Sequence, residues 1–306
     1  SYTYSGNFNW QTGSNILNNI IDSNGTVLGN ISTIQNSNNQ SIVASLNFDK
    51  FYRNFKFLNK KNNFFDILKS LKRVRVNYTE NSGKVIPGYV PSIGFFGTTK
   101  PSFGFIFGNQ SNVRYELAKM GYLTNFSGFN EQFQQVFNSK FEMSAEIQLF
   151  KNLKIDLNAN RNYSNNYSEN FRVDNNNYEI LNPNFYGNFS ISSNMLKTSF
   201  DKKSIDQSDS FDNMKENLKI ISLRLINQKG INNIEFDDQG YPIGFSQNSQ
   251  EVLVPAFISA YTGNNANSVG LNPISDKPKI NWSIQYDGLS EGLKDIFSRI
   301  SLRHSY

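Results

Sequence analysis

The alternation of apolar and polar residues is clearest between residues 141 and 163. Apolar residues occupy the odd positions of 141–149, and polar residues fill most of the even positions. After a short break at 150–152, apolar and polar residues alternate again over 153–160. Because successive side chains of a strand point to opposite faces, this pattern predicts a β-hairpin with one apolar face and one polar face.

Two interpretations of such a hairpin remain open on this stretch alone. Each strand has about 9–11 residues, the length that a tilted strand needs to cross the hydrocarbon of a membrane. In a soluble β-sandwich, by contrast, the apolar face would form a core and the polar face would meet water. The remaining segments have to distinguish a lipid-facing sheet from a core-forming one.

Seven segments with this alternation are predicted to be strands: 1–10, 41–48, 71–79, 141–149, 153–160, 280–286 and 300–306. The connections between them alternate in size. Three are long, at 13–39, 80–140 and 164–279, and three are shorter, at 49–70, 150–152 and 288–297. If each strand crosses a membrane once, all the long connections lie on one side, which is typical of an outer-membrane barrel.

The long connections also carry helical and irregular patterns. Short helices are predicted at 112–120, 212–230 and 252–261, with another near 64–71. The phenylalanines of 95–107 need burial, for which the inside of a wide barrel is one candidate. A partial β pattern at 185–191 is the weak point, because an additional crossing there would break the sorting of long and short connections.

The segment 71–79 shows how the two faces are assigned. Val74 and Val76 share one face, and Arg73 and Arg75 share the other. An arginine facing lipid near the bilayer midplane costs about 2–4 kcal/mol, so a membrane strand would turn its arginines toward a water-filled lumen. On local grounds, an edge strand with its basic residues in solvent fits equally well.

The side chains of the other predicted strands divide between two faces in the same way. We expect these residues to face a lumen: Arg73, Arg75, Glu142, Glu146, Asp156, Asn158 and Asn160. We expect these to face lipid: Val74, Val76, Met143, Ile147, Ile155, Leu157 and Ile284.

Composition points to a folded, β-rich chain without an evident chemical site. The 306 residues include 27 Phe and 15 Tyr but no Cys, which excludes disulfides and thiolate metal sites. The single histidine, His304, makes a Ser-His-Asp triad implausible, and we expect it at a rim or in a lumen. The net charge of +5 is spread along the chain, so nucleic-acid binding is not expected. No catalytic, metal or cofactor site is predicted.

Several segments, in chain order, carry a specific resemblance: LGNISTIQNS, SLNFDKFYRNFKFL, KSLKRVRVNYTENSGKVIPGYVP, PSFGFIFGNQ, LFKNLKIDLNANRN, QEVLVPAFISAYTG and INWSIQYDGLSEGLKDIF. Together they resemble the C-terminal barrel region of the SprA/Sov family, the outer-membrane translocons of type IX secretion. The resemblance implies an all-β fold with a few short helices in loops, in which 1–306 is a fragment of one very large antiparallel transmembrane β-barrel.

The resemblance also implies a function and partners. Folded cargo proteins with a C-terminal secretion domain would pass through the lumen and leave through a lateral gate. A PorV-type barrel and a periplasmic plug protein would bind the translocon, and some members of the family support gliding motility. The wall would lie in the bacterial outer membrane with its long loops at the cell surface. A TonB-dependent transporter-like barrel and a soluble β-sandwich binding module are the alternatives.

Overall fold

The structure is a computed structural model that describes residues 1–13, 21, 25, 27, 31–54, 69–93, 101–201, 208–231, 234–272, 277–292, 296–298 and 300–306. Most of the predicted helix near 64–71 lies outside these residues, and Leu71 already belongs to a strand.

One antiparallel sheet dominates the described part of the chain. Its strands are β1 (Tyr2–Thr12), β2 (Ser32–Asn47), β3 (Leu71–Tyr89), β4 (Gln132–Phe150), β5 (Leu153–Asp174), β6 (Asn177–Ile180), β7 (Asn184–Ile191), β8 (Asn281–Tyr286) and β9 (Leu302–Ser305). Seven strands follow in the order β1-β2-β3-β4-β5-β8-β9, and they correspond to the seven predicted segments. The prediction of an all-β, antiparallel fold is therefore confirmed. The sheet is open, with β1 and β9 at its edges.

The strands are longer than the alternation predicts. β2 begins at Ser32, β3 reaches Tyr89, β4 begins at Gln132 and β5 continues to Asp174. The predicted boundaries of the long connections at 13–39, 80–140 and 164–279 are therefore wrong at these ends. The additional parts of these strands carry polar residues on both faces. They therefore lack the alternation of apolar and polar residues from which the strands were predicted.

The residues with the partial β pattern, 185–191, form β7, which pairs with the same neighbouring strand as β8. Both β7 and β8 pair with β5. Where β7 ends, the Ser192 amide donates to Asn160 O (2.8 Å) and the Lys279 amide donates to Ser192 O (2.9 Å). β8 begins just after Lys279 and continues along the same edge of β5, so the described residues between 193 and 278 lie outside the sheet.

Six helices lie in the described residues: α1 (Phe48–Asn54), α2 (Phe103–Ile106), α3 (Arg114–Lys119), α4 (Asp209–Lys229), α5 (Gln250–Thr262) and α6 (Leu289–Gly292). The helices predicted at 112–120, 212–230 and 252–261 are confirmed as α3, α4 and α5. α4 begins earlier than predicted, because the Ser208 side chain caps it, and Gly230 ends it in the left-handed conformation.

The chain divides into two compact units, each with its own core. The first comprises 1–48, 73–143 and 161–190, and its buried cluster includes Ile34, Ile86, Tyr89, Phe105, Leu117, Phe133 and Phe171. The second comprises 49–72, 144–160 and 191–306, and its cluster includes Leu218, Ile221, Leu225, Val252 and Ala256 of α4 and α5.

The core of the first unit yields a prediction about stability. Phe105 of α2 is fully buried, so Phe105→Ala leaves a cavity and should lower the free energy of unfolding by about 3–5 kcal/mol. Met120 is 60% exposed in the same connection between β3 and β4, and Met120→Ala should change this energy by less than about 0.5 kcal/mol. Denaturant unfolding measures both, and equal effects would contradict the packing described above.

Candidate functional site

Two predicted sets of residues lie on opposite faces of the sheet. On β2 and β3, Leu46 is opposite Val74, and Ala44 is opposite Val76. On β5 and β8, Ile155 is opposite Ile284. Met143 and Ile147 share a face of β4 by their spacing of four residues. We call the face that carries Val74, Val76, Met143, Ile147, Ile155, Leu157 and Ile284 the apolar face.

The opposite face, called the polar face below, is held together by charges and amides. The Asn77 side-chain amide donates to Glu142 (3.3 Å), which also pairs with Lys140 (2.6 Å). Lys154 pairs with Glu146 (3.8 Å) and Asp156 (3.2 Å). By strand alternation, Arg73 and Arg75 share the face of Asn77, and Asn158 and Asn160 share the face of Asp156. What each face contacts stays a prediction.

No core of the described chain covers the part of the apolar face that carries these seven residues. None of its seven residues belongs to either buried cluster, and each keeps an intermediate exposure. Further along the same face of β2, Ile42 is 46% exposed and Leu46 is 58% exposed. These side chains contact one another across strands, but a second layer of the described chain does not bury them.

Charged residues limit the apolar face above and below. On β3, Lys72 and Glu80 lie on the same face as Val74 and Val76, with eight residues or about 27 Å of strand between them. Lys72 pairs with Asp49 (3.1 Å), and Glu80 accepts a hydrogen bond from the Tyr78 hydroxyl (2.8 Å). We call the uncharged stretch between these limits the apolar band, with Glu80 at its upper limit and Lys72 at its lower limit.

Beyond the upper limit, in the first unit, the chain covers this face itself. Residues 101–123, called the docked segment, lie against β1 and β2. The Asn36 side-chain amide donates to Phe105 O (3.0 Å) and Asn109 O (2.8 Å), and that of Asn38 donates to Gly108 O (2.7 Å). The amides of β2 thus satisfy carbonyls of an irregular segment, which otherwise would need water.

A close approach of the two backbones explains the glycines at this contact. Gly108 adopts φ +85°, and a Cβ there would lie 2.7 Å from Ser37 O. A Cβ at Gly6 would clash with Phe107 O. Of the described phenylalanines of 95–107, Phe105 is buried between the docked segment and the sheet, as expected. Phe103 and Phe107 are exposed, so the expectation of burial is wrong for these two. Residues 95 and 96 lie outside the described part.

A buried ion pair fixes the other end of the docked segment. Glu169 of β5 has no exposed surface and pairs with Arg114 of α3. The hydroxyls of Tyr178 (2.6 Å) and Tyr167 also donate to this carboxylate. The Arg114 guanidinium lies 4.4 Å from the centroid of the Phe133 ring, within cation–π range. Burial, together with the hydrogen bond to Glu169, raises the pKa of Tyr178 far above its ordinary value.

A buried lysine adds a second positive charge beneath the docked segment. The Lys84 ammonium donates to Ser111 O (2.9 Å) and to Gln110 O. Burial and, to a lesser extent, the nearby charge of Arg114 lower its pKa to about 8. Sequence reasoning missed Lys84, Arg114 and Glu169. The one signal available was an aromatic residue close to two of them, Tyr115 beside Arg114 and Tyr167 near Glu169.

The described residues contain no evident chemical site. They include no cluster of three or more histidine, aspartate or glutamate side chains placed to hold a metal ion. His304 of β9 lies opposite Ile284, so it shares the apolar face, and the expectation that it lies at a rim or in a lumen stays a prediction.

No helix among the described residues is both long enough and apolar enough to cross a membrane. Neither a protein-family model nor a curated protein matches this sequence. The geometry of the two faces therefore has to carry the functional argument.

The buried ion pair yields a prediction about charge. Glu169→Gln leaves Arg114 buried without its counter-charge and should lower the free energy of unfolding of the first unit by about 3–5 kcal/mol. Glu179 forms an exposed pair with Arg172, so Glu179→Gln should cost less than about 1 kcal/mol. Denaturant unfolding compares the two variants, and a small effect of Glu169→Gln would show that the pair does not hold the segment.

The lowered pKa of Lys84 predicts a dependence on pH. Between about pH 8 and the ordinary lysine pKa of 10.5, the unfolded chain keeps a proton that the folded chain has released, so stability should rise with pH in this window. Above about pH 10, Tyr89, whose pKa burial raises to about 12, works in the opposite direction. Urea midpoints from pH 7 to 10 should rise for the unmodified protein and stay flat for Lys84→Met. A rise in both would rule out Lys84 as the source.

Proposed function

We propose that this chain is a segment of the wall of a large outer-membrane β-barrel. The observation that carries the proposal is the apolar band, which no described layer covers, on a sheet whose opposite face holds paired charges. In water, such a band would expose valine, isoleucine, leucine and methionine side chains, each worth on the order of 1.5–3 kcal/mol when fully buried. Acyl chains bury these side chains without a second protein layer.

The dimensions of the band support a membrane. Outer-membrane barrels carry an outward apolar band about 25 Å tall. The charged limits on β3 are about 27 Å apart along the strand, and the tilt of a barrel strand shortens the corresponding height. Tyr78 lies at the upper end of the band beside Glu80, as expected for the aromatic girdle at a membrane interface.

The arginines and carboxylates of the polar face fit a hydrated lumen. Arg73 and Arg75 are exposed there, and Glu142, Glu146 and Asp156 are paired across neighbouring strands. In lipid, these groups would each cost several kcal/mol near the midplane, whereas in a water-filled lumen they stay solvated. The open sheet then represents one arc, which the rest of a longer barrel closes through the edges of β1 and β9.

Within this class, we propose a protein-conducting translocon of the SprA/Sov type. The support is the resemblance of seven segments in chain order. A wide hydrated lumen with few apolar groups lets folded cargo pass without adhesion, and energy would come from other components. From the resemblance, we expect cargo with a C-terminal secretion domain, a PorV-type barrel and a periplasmic plug protein as partners, with a link to gliding motility.

Cysteine labelling tests both levels of the proposal, because the chain has no cysteine of its own. In isolated outer membranes, Arg75→Cys should react with a membrane-impermeant maleimide and Val74→Cys should not, since adjacent residues lie on opposite faces. After solubilisation in denaturant, both variants should react equally, which controls for expression.

Equal reaction of both thiols in intact membranes would contradict the barrel. In cells that export cargo, a photocrosslinker on Arg75→Cys should also capture cargo, and one on Val74→Cys should not. Labelling confined to the polar face together with no cargo crosslink would keep the barrel and contradict the translocon, favouring a nutrient-transporter type of barrel.

A further inference from the structure

Four exposed aromatic residues lie together at the upper limit of the apolar band. Phe103 is 62% exposed and Phe107 is 56% exposed, with ring centroids 4.7 Å apart. Tyr4 of β1 (48% exposed) contacts Phe107, and Tyr2 (60% exposed) lies two residues away on the same face of β1. We call these four residues the aromatic patch. A cluster of exposed aromatic rings on a folded segment is typical of an interaction site.

The patch is held in place by the sheet. The Tyr4 hydroxyl donates to Phe107 O (2.6 Å), and Phe105, between the two exposed phenylalanines, is fully buried against Phe8. Asn36 and Asn38 bind the carbonyls on either side of Phe107. The exposure of Phe103 and Phe107 is therefore a property of a fixed surface, since their backbone is tied to β1 and β2.

The register places the patch at a defined height. Tyr2 is opposite Ile42, whose side chain lies in the apolar band. Tyr4 is opposite Gln40, and Gln40 is opposite Glu80, the upper charged limit. Phe107 lies beside Gly6, about 7 Å further along β1. The interfacial layer on each side of the hydrocarbon is also about 5–7 Å thick.

The chemistry of the patch fits that layer. Tyrosine rings are enriched where acyl chains meet headgroups, because one end is apolar and the other accepts water. The two charged groups that hold the docked segment, Lys84 and Arg114, are turned inward and are 3% and 9% exposed. A protein partner would be an alternative occupant, but the continuity of the patch with the apolar band on one sheet face favours lipid.

We propose that the aromatic patch rests in the interfacial layer of the bilayer, so that the docked segment lies on the membrane outside the barrel wall. The inference rests on the proposed wall function, and it adds a lipid contact for the docked segment, which does not cross the membrane. It also implies that this segment does not fill the lumen.

Depth-dependent quenching tests the inference in the protein reconstituted into nanodiscs of phosphatidylcholine and phosphatidylglycerol. A bimane label is placed by Phe107→Cys, with Phe103→Cys as a second variant in case the first fails to fold. Val76→Cys reports the centre of the band, and Asn39→Cys reports the polar face at the height of the patch. Nitroxide lipids labelled near the headgroup or deep in the chain quench from the membrane, and iodide quenches from water.

We expect headgroup-region nitroxides to quench the label at 107 or 103 at least twofold more than the label at 39. Iodide should quench the label at 39 more than the label at 107 or 103. If the label at 107 matches that at 39 while the label at 76 is quenched by deep nitroxides, the inference is overturned and the wall function stands. Shielding of 107 from both quenchers would indicate a protein occupant and also overturn it. Iodide quenching at 76 would remove the wall function and the inference together.

Discussion

A single layer of sheet cannot shield its own apolar face. Strand pairing satisfies the backbone of this chain, but pairing leaves each side chain pointing to one face or the other. Here the apolar band of β2, β3, β4, β5 and β8 belongs to neither buried cluster of the described residues. The proposed wall function assigns the cover of this band to acyl chains and leaves water to the charged face.

Above the upper end of the band, the same face of the sheet is stabilised in a different way. Above Gln40 and Glu80, the chain covers the same face with the docked segment and stabilises it by specific polar contacts. Asn36, Lys84 and the pair of Arg114 with Glu169 each satisfy buried groups that water would otherwise solvate. A sheet that met water along its whole length would need such a cover everywhere, whereas here it stops at the charged limit.

The periodicity of apolar residues predicted the features that depend on the sequence of a single strand. The seven main strands and the two faces followed from alternation, because register shifts by one residue would expose the whole apolar set. The extension of β2 back to Ser32 was missed, since Asn36 and Asn38 look like loop residues until a distant segment binds them. The pairing of Arg114 with Glu169, 55 positions apart, left no local signal, and neither did the return of the chain from Ser192 to Lys279.

The central claim is that the two faces of this sheet meet different media. Spin labels placed one at a time along 141–149 of β4, in the protein reconstituted into bilayers, measure it directly. The account predicts that collision with oxygen is highest at the odd positions and collision with a water-soluble nickel chelate is highest at the even ones. Access of the nickel chelate to odd and even positions alike would contradict the account.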